Sequence, residues 1–161
     1  MRSQWASEGD WPELVHNIRH RVGLNSGEMV TGNMGSSMRM NYTMMGDTVN
    51  LAARLEPAAK HYGAYILVAE NTQKVVADQF DWRFLDYLRV KGKKKPVKAY
   101  ELISLKNEMT DKQSQLVKAF DEGMSLYHKK EWAKAKKQFK DSLSLEENFT
   151  DRPTTPSAVY L

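Results

Sequence analysis

Residues 42–56 read Tyr-Thr-Met-Met-Gly-Asp-Thr-Val-Asn-Leu-Ala-Ala-Arg-Leu-Glu, and they predict a strand that enters a helix through a tight turn. Just upstream, residues 38–44 alternate methionine or tyrosine with polar residues. This alternation is the period-two pattern of a half-buried strand. Gly46 permits a sharp turn, and Asp47 is suited to cap the helix that follows.

Three polar residues in this stretch form a candidate site. Asn50 and Arg54 are four residues apart, so a helix places them on one face. Thr43 stands near the end of the strand, close to the helix start with its unpaired backbone N–H groups. An amide, a guanidinium and a helix N-terminus suit a ligand that carries a base, a sugar and phosphates.

The composition is that of an ordinary globular chain. It has 161 residues, a net charge of +4 and no cysteine, which excludes a disulfide framework and a thiolate metal site. No apolar run approaches the ~20 residues that span a bilayer, and no signal peptide opens the chain. The absence of cysteine fits a reducing compartment, so a cytoplasmic location is the expectation.

Before residue 42, the sequence predicts a β-hairpin and a loop. Residues 19–25 and 28–32 read as two strands joined by a turn at Ser26-Gly27. Residues 32–37 are rich in glycine and lack the Lys-Ser/Thr of a phosphate-binding loop, so a plain turn is favoured over a phosphate site. Residues 1–18 are predicted to form a short amphipathic helix or two broken turns.

After residue 56, strands and helices are interspersed. Pro57 predicts a kink or a fresh turn in the helix, which should end at Tyr62-Gly63. Further along, the sequence predicts strands over 65–69, 80–90 and 97–105, a helix over 70–77, and a basic turn over 91–96. The aromatic residues of the 80–90 strand are expected in the core. The order predicts an α+β fold with a partly antiparallel sheet.

The composition of the sequence changes near residue 107. Beyond it, apolar residues recur at helical spacing on either side of a break at 128–130, which predicts a helical hairpin. The spacing of small and aromatic residues resembles a tetratricopeptide repeat, and residues 151–161 read as the start of a further helix cut short. A single repeat cannot bury its own face, so the pair should pack on the sheet domain or on residues outside this chain.

Five motifs occur in order across residues 10–105, and together they resemble the C-terminal part of a class III adenylate/guanylate cyclase catalytic domain. The motifs are Arg21-Val22-Gly23-Leu24-Asn25-Ser26-Gly27, Gly32-Asn33-Met34-Gly35, residues 42–56, Val90-Lys91-Gly92-Lys93, and Pro96-Val97-x-x-Tyr100-Glu101-Leu102. The resemblance implies a partial ferredoxin-like mixed or antiparallel sheet with helices. It divides the chain into a partial catalytic domain, residues 1–106, and a truncated tetratricopeptide-like helical tail, residues 107–161.

The resemblance also implies an activity. Such cyclases work as dimers, and a site at the interface converts ATP to 3′,5′-cyclic AMP and pyrophosphate. By position in the motifs, Asn50 would orient the ribose and Arg54 would stabilise charge on the α-phosphate. Lys91 would contact the outgoing phosphates. Thr43 would read the base, and it favours ATP because guanylyl cyclases of this family typically have cysteine there.

The metal-binding half of such a site is not expected in this chain. The family holds two divalent metals, Mg or Mn, with two aspartates in segments that precede the motifs found here. Neither segment occurs before residue 10, so no metal ligand is assigned. Asp47 is interpreted as a helix cap or dimer contact rather than a ligand. The four histidines show no ligand spacing.

Two classes of function stay open at this point. In the first, the chain is one half of a cyclase homodimer or the partner of a second cyclase half. In the second, it is a non-catalytic, truncated module that binds nucleotide or a protein partner through its sheet and helical tail. Nucleic-acid binding is disfavoured because positive charge is not expected on one face. The six methionines over 29–45 are expected to fill the core and a dimer contact. A membrane anchor upstream of this chain is left open.

Overall fold

The computed structural model describes residues 7, 12, 20–89, 95–146 and 154–161. The segment predicted as a helix or turns over 1–18 lies almost wholly outside these residues, as does Lys91. In chain order, the elements are β1 (Val22–Leu24), β2 (Val30–Ser36), β3 (Arg39–Met45), α1 (Asp47–Tyr62), β4 (Ile66–Ala69), α2 (Glu70–Val75), β5 (Phe80–Leu88), β6 (Val97–Leu105), α3 (Asp111–His128), α4 (Trp132–Glu146) and a 3-10 helix (Pro156–Tyr160).

Four strands form a mixed sheet in the order β1-β4-β6-β5. β1 runs parallel to β4, whereas β4 and β5 each pair with β6 in the antiparallel sense. This arrangement confirms the α+β class. β4 is the buried interior strand predicted from its continuous apolar sequence, with Leu67, Val68 and Ala69 fully buried.

The predicted hairpin between residues 19–25 and 28–32 is wrong. β1 instead pairs with β4, and β2 pairs with β3 from Val30↔Met45 to Ser36↔Arg39. The segment over 32–37 is therefore mostly strand, and only Ser37 and Met38 are left for the turn. Two-residue turns suit tight antiparallel hairpins, whereas the short apolar β1 gains more by pairing with a buried strand.

Helix α1 lies on one face of the sheet and buries Leu51, Leu55 and Ala59. It runs through Pro57 to Tyr62, so the fresh turn predicted there does not form. It ends as predicted at Gly63, whose φ of 68° suits glycine.

The start of α1 differs from the prediction. Gly46, with φ 146°, occupies the N-cap position, and Asp47 is the first helical residue. The Asp47 carboxylate is therefore not the cap, although an acid in the first turn still interacts favourably with the helix dipole.

Strand β5 buries a different set of side chains from the predicted one. Asp81, Arg83 and Leu85 are buried, whereas Tyr87 is 44% exposed and Trp82 and Phe84 are only half-buried. The aromatic residues thus do not fill the main core. A strand with period two can bury only one of its faces against the helices, and here that face is the one carrying Arg83.

The helical tail packs on the same sheet, which is one of the two alternatives that the sequence left open. Phe120 and Phe139 join Leu85 in one core, and the Tyr160 hydroxyl donates to the Leu85 carbonyl at 2.7 Å. The last described residues form a 3-10 helix rather than the start of an α-helix. None of the helices in the described segments is both long and apolar enough to cross a membrane.

A buried ionic cluster links the tail to the sheet. Arg83 of β5 donates through Nη2 and Nε to Glu101 of β6, at 2.5 and 3.0 Å, and through Nη1 to Glu146 of α4. All three side chains are at most 3% exposed. Glu146 also accepts from the Ser157 N–H, and the Arg83 guanidinium lies 5.0 Å from the Phe120 ring centroid. Two carboxylates thus surround one guanidinium, with hydrogen bonds on all three.

Asp121 of α3, near this cluster, should make stability depend on pH. Although the residue as a whole is exposed, neighbouring protein atoms partly desolvate its carboxyl and raise the pKa to about 6, and the Arg83 charge only partly offsets the shift. Because the folded pKa exceeds the ordinary value of 3.8, this group favours folding at acidic pH, and that contribution is lost as pH rises through about 6. Asp121→Asn should therefore raise the free energy of unfolding near neutral pH by up to about 1 kcal/mol, after allowance for solvent screening.

Urea unfolding of Asp121→Asn and the parent at several pH values measures this effect. The gain should vanish at a pH below the ordinary value of 3.8, where the carboxyl is protonated in both states. A gain of the same size at every pH would contradict the assignment and indicate a packing effect instead.

Gly23 fixes the distance between β1 and α1. A Cβ atom at this position would lie 2.6 Å from the Ala52 carbonyl oxygen and 2.6 Å from the Glu56 nitrogen, which are backbone atoms. Gly23→Ala should therefore push α1 from the sheet and cost about 1–3 kcal/mol of unfolding free energy. Gly32→Ala is the matched control, because nothing lies within 4 Å of a Cβ there. Equal urea midpoints for the two variants would contradict this close approach.

Candidate functional site

The three predicted site residues within the described part lie on β3 and α1. Thr43 is near the end of β3, and Asn50 and Arg54 follow one turn apart on α1. All three are exposed, whereas Leu51 and Leu55 of the same helix face the core. The amide and the guanidinium therefore point away from the sheet, where a ligand has access to them.

The β2–β3 hairpin is exposed on both faces. All seven residues of β3 are exposed, so the predicted half-buried strand is wrong for a single copy of the chain. Met40, Tyr42 and Met44 share one face and are 61%, 74% and 54% exposed. The methionines of this region do not fill the core. Large apolar side chains grouped on one face typically mark an interaction surface.

The opposite face of the hairpin carries Thr43 with open space beside it. Thr43 pairs in register with Gly32, and a Cβ at Gly32 would meet no atom within 4 Å. A cleft of about 430 Å³ lies at the base of the hairpin, lined in part by Met45 and Gly46. The Thr43 hydroxyl and the start of α1 thus border unfilled space.

Residues of β1 and the loop after it hold α1 in position. The Asn25 amide Nδ2 donates to the Thr48 carbonyl at 3.0 Å, in the first turn of α1. One turn further on, Gly23 lets the β1 backbone contact the α1 backbone. The Asn25 Oδ1 atom is buried and accepts no hydrogen bond from the described residues. These contacts fix the helix that carries Asn50.

Sequence reasoning did not assign this positioning role. Gly23 and Asn25 stand in a motif that was recognised only by resemblance. A glycine inside a strand pattern often marks a close approach of another backbone, and this signal could have identified Gly23. No comparable local signal points from Asn25 to a helix more than twenty residues away.

Two expectations about the site remain, the role of Lys91 and the metal ligands. Lys91 lies outside the described residues. Within the segments described, no group of three or more His, Asp or Glu side chains could hold a metal ion. Asp47 belongs to no such group among these residues.

Residues 5–104 match the adenylate and guanylate cyclase catalytic domain family. The chain belongs to this family.

Individual relatives agree with this membership. The terminal-differentiation specific adenylate cyclase of Dictyostelium discoideum is 34% identical over 144 residues, which are 86% of this chain and 7% of that protein. Adenylate cyclase 1 of Rhizobium meliloti is 36% identical over 55% of this chain and 13% of its own length. The crystal structure of the adenylyl cyclase CyaB from P. aeruginosa is 31% identical, with a TM-score of 0.51, over 68% of this chain and 53% of that one.

Two facts follow from how much of each chain these matches cover. The chain spans a small part of its curated relatives, 7% and 13% of the two described above. The Dictyostelium alignment covers 86% of the chain, so it must extend past residue 104 into the helical tail. The tail is thus shared with a cyclase relative rather than unrelated to it.

Proposed function

We propose that this chain supplies the transition-state half of an adenylate cyclase site, which converts ATP to 3′,5′-cyclic AMP and pyrophosphate. The proposal rests on one observation: Asn50 and Arg54 are both exposed and lie one turn apart on α1, whose backbone packs closely against β1. Family membership and adenylate cyclase relatives support it. A nucleotide substrate and a chain without cysteine fit a cytoplasmic reaction.

The chemistry suits these side chains. The ribose 3′-hydroxyl attacks the α-phosphorus, the bond to the β,γ-phosphate breaks, and pyrophosphate leaves. Such a reaction needs mainly positioning and stabilisation of phosphate charge. Arg54 offers a planar fork that matches phosphate oxygens, and Asn50 holds the ribose. Lys91 is proposed to contact the departing phosphates.

The second half of the site is proposed to come from another copy or a second cyclase chain. The apolar face formed by Met40, Tyr42 and Met44 supports this arrangement, because it is exposed in a single chain and belongs to the strand that carries Thr43. The described residues do not supply a metal ligand set, so the two divalent metals of the family are assigned to the partner. We also propose that the tail is a tetratricopeptide-like segment and that it contacts another protein.

A mixing experiment tests the proposal. The purified chain is incubated with ATP and Mn²⁺, alone and together with a full-length cyclase inactivated only at the residue equivalent to Arg54. We expect cyclic AMP from the mixture and none from the chain alone, since each partner supplies what the other lacks. No cyclic AMP in either case would overturn catalysis and leave the nucleotide- or partner-binding module.

Specificity for the base should depend on Thr43. We expect Thr43→Cys to shift the ATP/GTP ratio of kcat/KM toward GTP in the mixed enzyme, because Thr43 faces the open space beside Gly32. A single hydrogen-bonding change in a base pocket is worth about tenfold or more in selectivity. Thr43→Ser keeps the hydroxyl and should keep the preference for ATP. An unchanged ratio in Thr43→Cys would exclude a base-reading role.

A further inference from the structure

Helix α4 and the turn before it present a concentrated basic surface. Between residues 129 and 140 there are six lysines and one acidic residue, Glu131. All six lysines are exposed. They are Lys129, Lys130, Lys134, Lys136, Lys137 and Lys140. We call this set the lysine face.

The lysine face carries a large share of the positive charge of the protein. The chain has 24 basic and 20 acidic residues, so the segment 129–140 leaves 18 basic and 19 acidic residues elsewhere. The rest of the molecule is therefore nearly neutral. A second basic run, residues 89–98, has six basic residues and no acidic one, so the lysine face is one of two basic segments of the chain.

The orientation of α4 keeps the lysine face exposed to solvent. The helix buries Ala135, Phe139 and Ser142, which recur at helical spacing, and the lysines occupy the remaining face. Of the six lysines of this face, Lys134 forms an ion pair with Glu131, at 2.6 Å. Trp132, at the start of the helix, is 56% exposed. The surface thus combines several exposed ammonium groups with one indole, whose ring also contacts the Tyr127 ring edge-on at 5.2 Å.

We propose that the lysine face docks on an anionic lipid bilayer. Clustered lysines are attracted to the negative potential of such a surface, and their flexible stems let the ammonium groups reach the headgroups. An indole is favoured at the level of the headgroups, where Trp132 would lie. The apolar side of α4 stays in the core, so the contact is peripheral and electrostatic.

Two features favour a bilayer over nucleic acid. The segment 129–140 contains no arginine, the residue whose fork binds phosphate and base edges most specifically. It also offers Trp132 as its only aromatic side chain on the exposed face, whereas single strands are bound by successive stacking platforms. None of these residues belongs to the proposed cyclase site, so the two proposals are independent.

Vesicle co-sedimentation of the 161-residue chain tests the proposal. We expect binding to phosphatidylcholine vesicles that contain phosphatidylserine to be at least about tenfold tighter than to phosphatidylcholine alone, and to weaken as salt is added. Changing Lys134, Lys136, Lys137 and Lys140 together to Gln should abolish the difference. Changing the same four to Arg should retain it.

A matched variant separates this surface from general charge. It changes four exposed lysines outside the lysine face, Lys60, Lys74, Lys112 and Lys118, to Gln, and it should bind as the parent does. Equal loss in both Gln variants, or equal binding of the parent to both kinds of vesicle, would overturn the proposal. Tighter binding to duplex DNA than to the anionic vesicles would also overturn it, since it would assign the face to nucleic acid. Circular dichroism checks that each variant is folded.

Discussion

Arg54→Ala is expected to lower kcat of the mixed enzyme by about 100- to 1000-fold, with little change in KM for ATP. In the proposed site, Arg54 meets charge that develops on the α-phosphate only as the ring closes. Removal of one such donor from a preorganised site costs about 3–4 kcal/mol of transition-state stabilisation. The measurement is steady-state cyclic AMP production by the complemented mixture.

Lys60→Ala on the same helix is the control. Lys60 is exposed near the C-terminal end of α1, and it lies outside the proposed site. The Lys60→Ala variant should have the same kcat as the parent in the complemented mixture. Arg54→Lys keeps the charge but loses the planar fork, so it should recover only part of the rate. A rise in KM at constant kcat in Arg54→Ala would contradict a transition-state role and indicate uniform binding instead.

Glu146→Ala is expected to lower the free energy of unfolding by about 3–5 kcal/mol, the cost of breaking a buried ion pair by removing one partner. Burial opposes the charged form of Arg83, and the carboxylates of Glu101 and Glu146 outweigh it and raise the pKa of the guanidinium. The variant leaves Arg83 with one carboxylate and removes the acceptor of the Ser157 N–H. Urea unfolding followed by circular dichroism measures the loss.

Glu131→Ala gives the matched comparison on the protein surface. Glu131 also pairs with a cation, Lys134, but that lysine side chain is 74% exposed. Exposed pairs of this kind contribute about 0–1 kcal/mol. Similar losses of unfolding free energy in Glu146→Ala and Glu131→Ala would show that the buried cluster does not stabilise the packing of the tail on the sheet. A variant of Glu146 that fails to fold at all would agree with the larger cost.

Much of the fold could be read from local patterns. The strand over Val97–Leu105 and the C-cap at Gly63 were predicted where they occur, because each depends on neighbouring residues in the chain. The two helices of the tail were also predicted, since apolar side chains at helical spacing need only a partner surface. The candidate site residues Asn50 and Arg54 share a helix face for the same local reason.

The errors concern partners distant in sequence. The sequence between β1 and β2 suits a hairpin, but β1 pairs with β4 some forty residues later. The alternation in β3 predicts one buried face, whereas all seven residues of this strand are exposed in the single chain. From the sequence alone, Arg83 would be expected to face solvent. It is buried because Glu101 of β6 and Glu146 of α4 pair with its guanidinium.

The buried cluster also bears on where this protein can be divided. The family match ends at residue 104, and the sequence suggests a boundary at 106. A fragment cut there would keep Arg83 and Glu101 but lose Glu146, and it would uncover Leu85 and Ala99 of the shared core. We therefore expect the catalytic domain defined by sequence similarity to be less stable without the tail than with it. The tail and the sheet should melt together in a single cooperative transition.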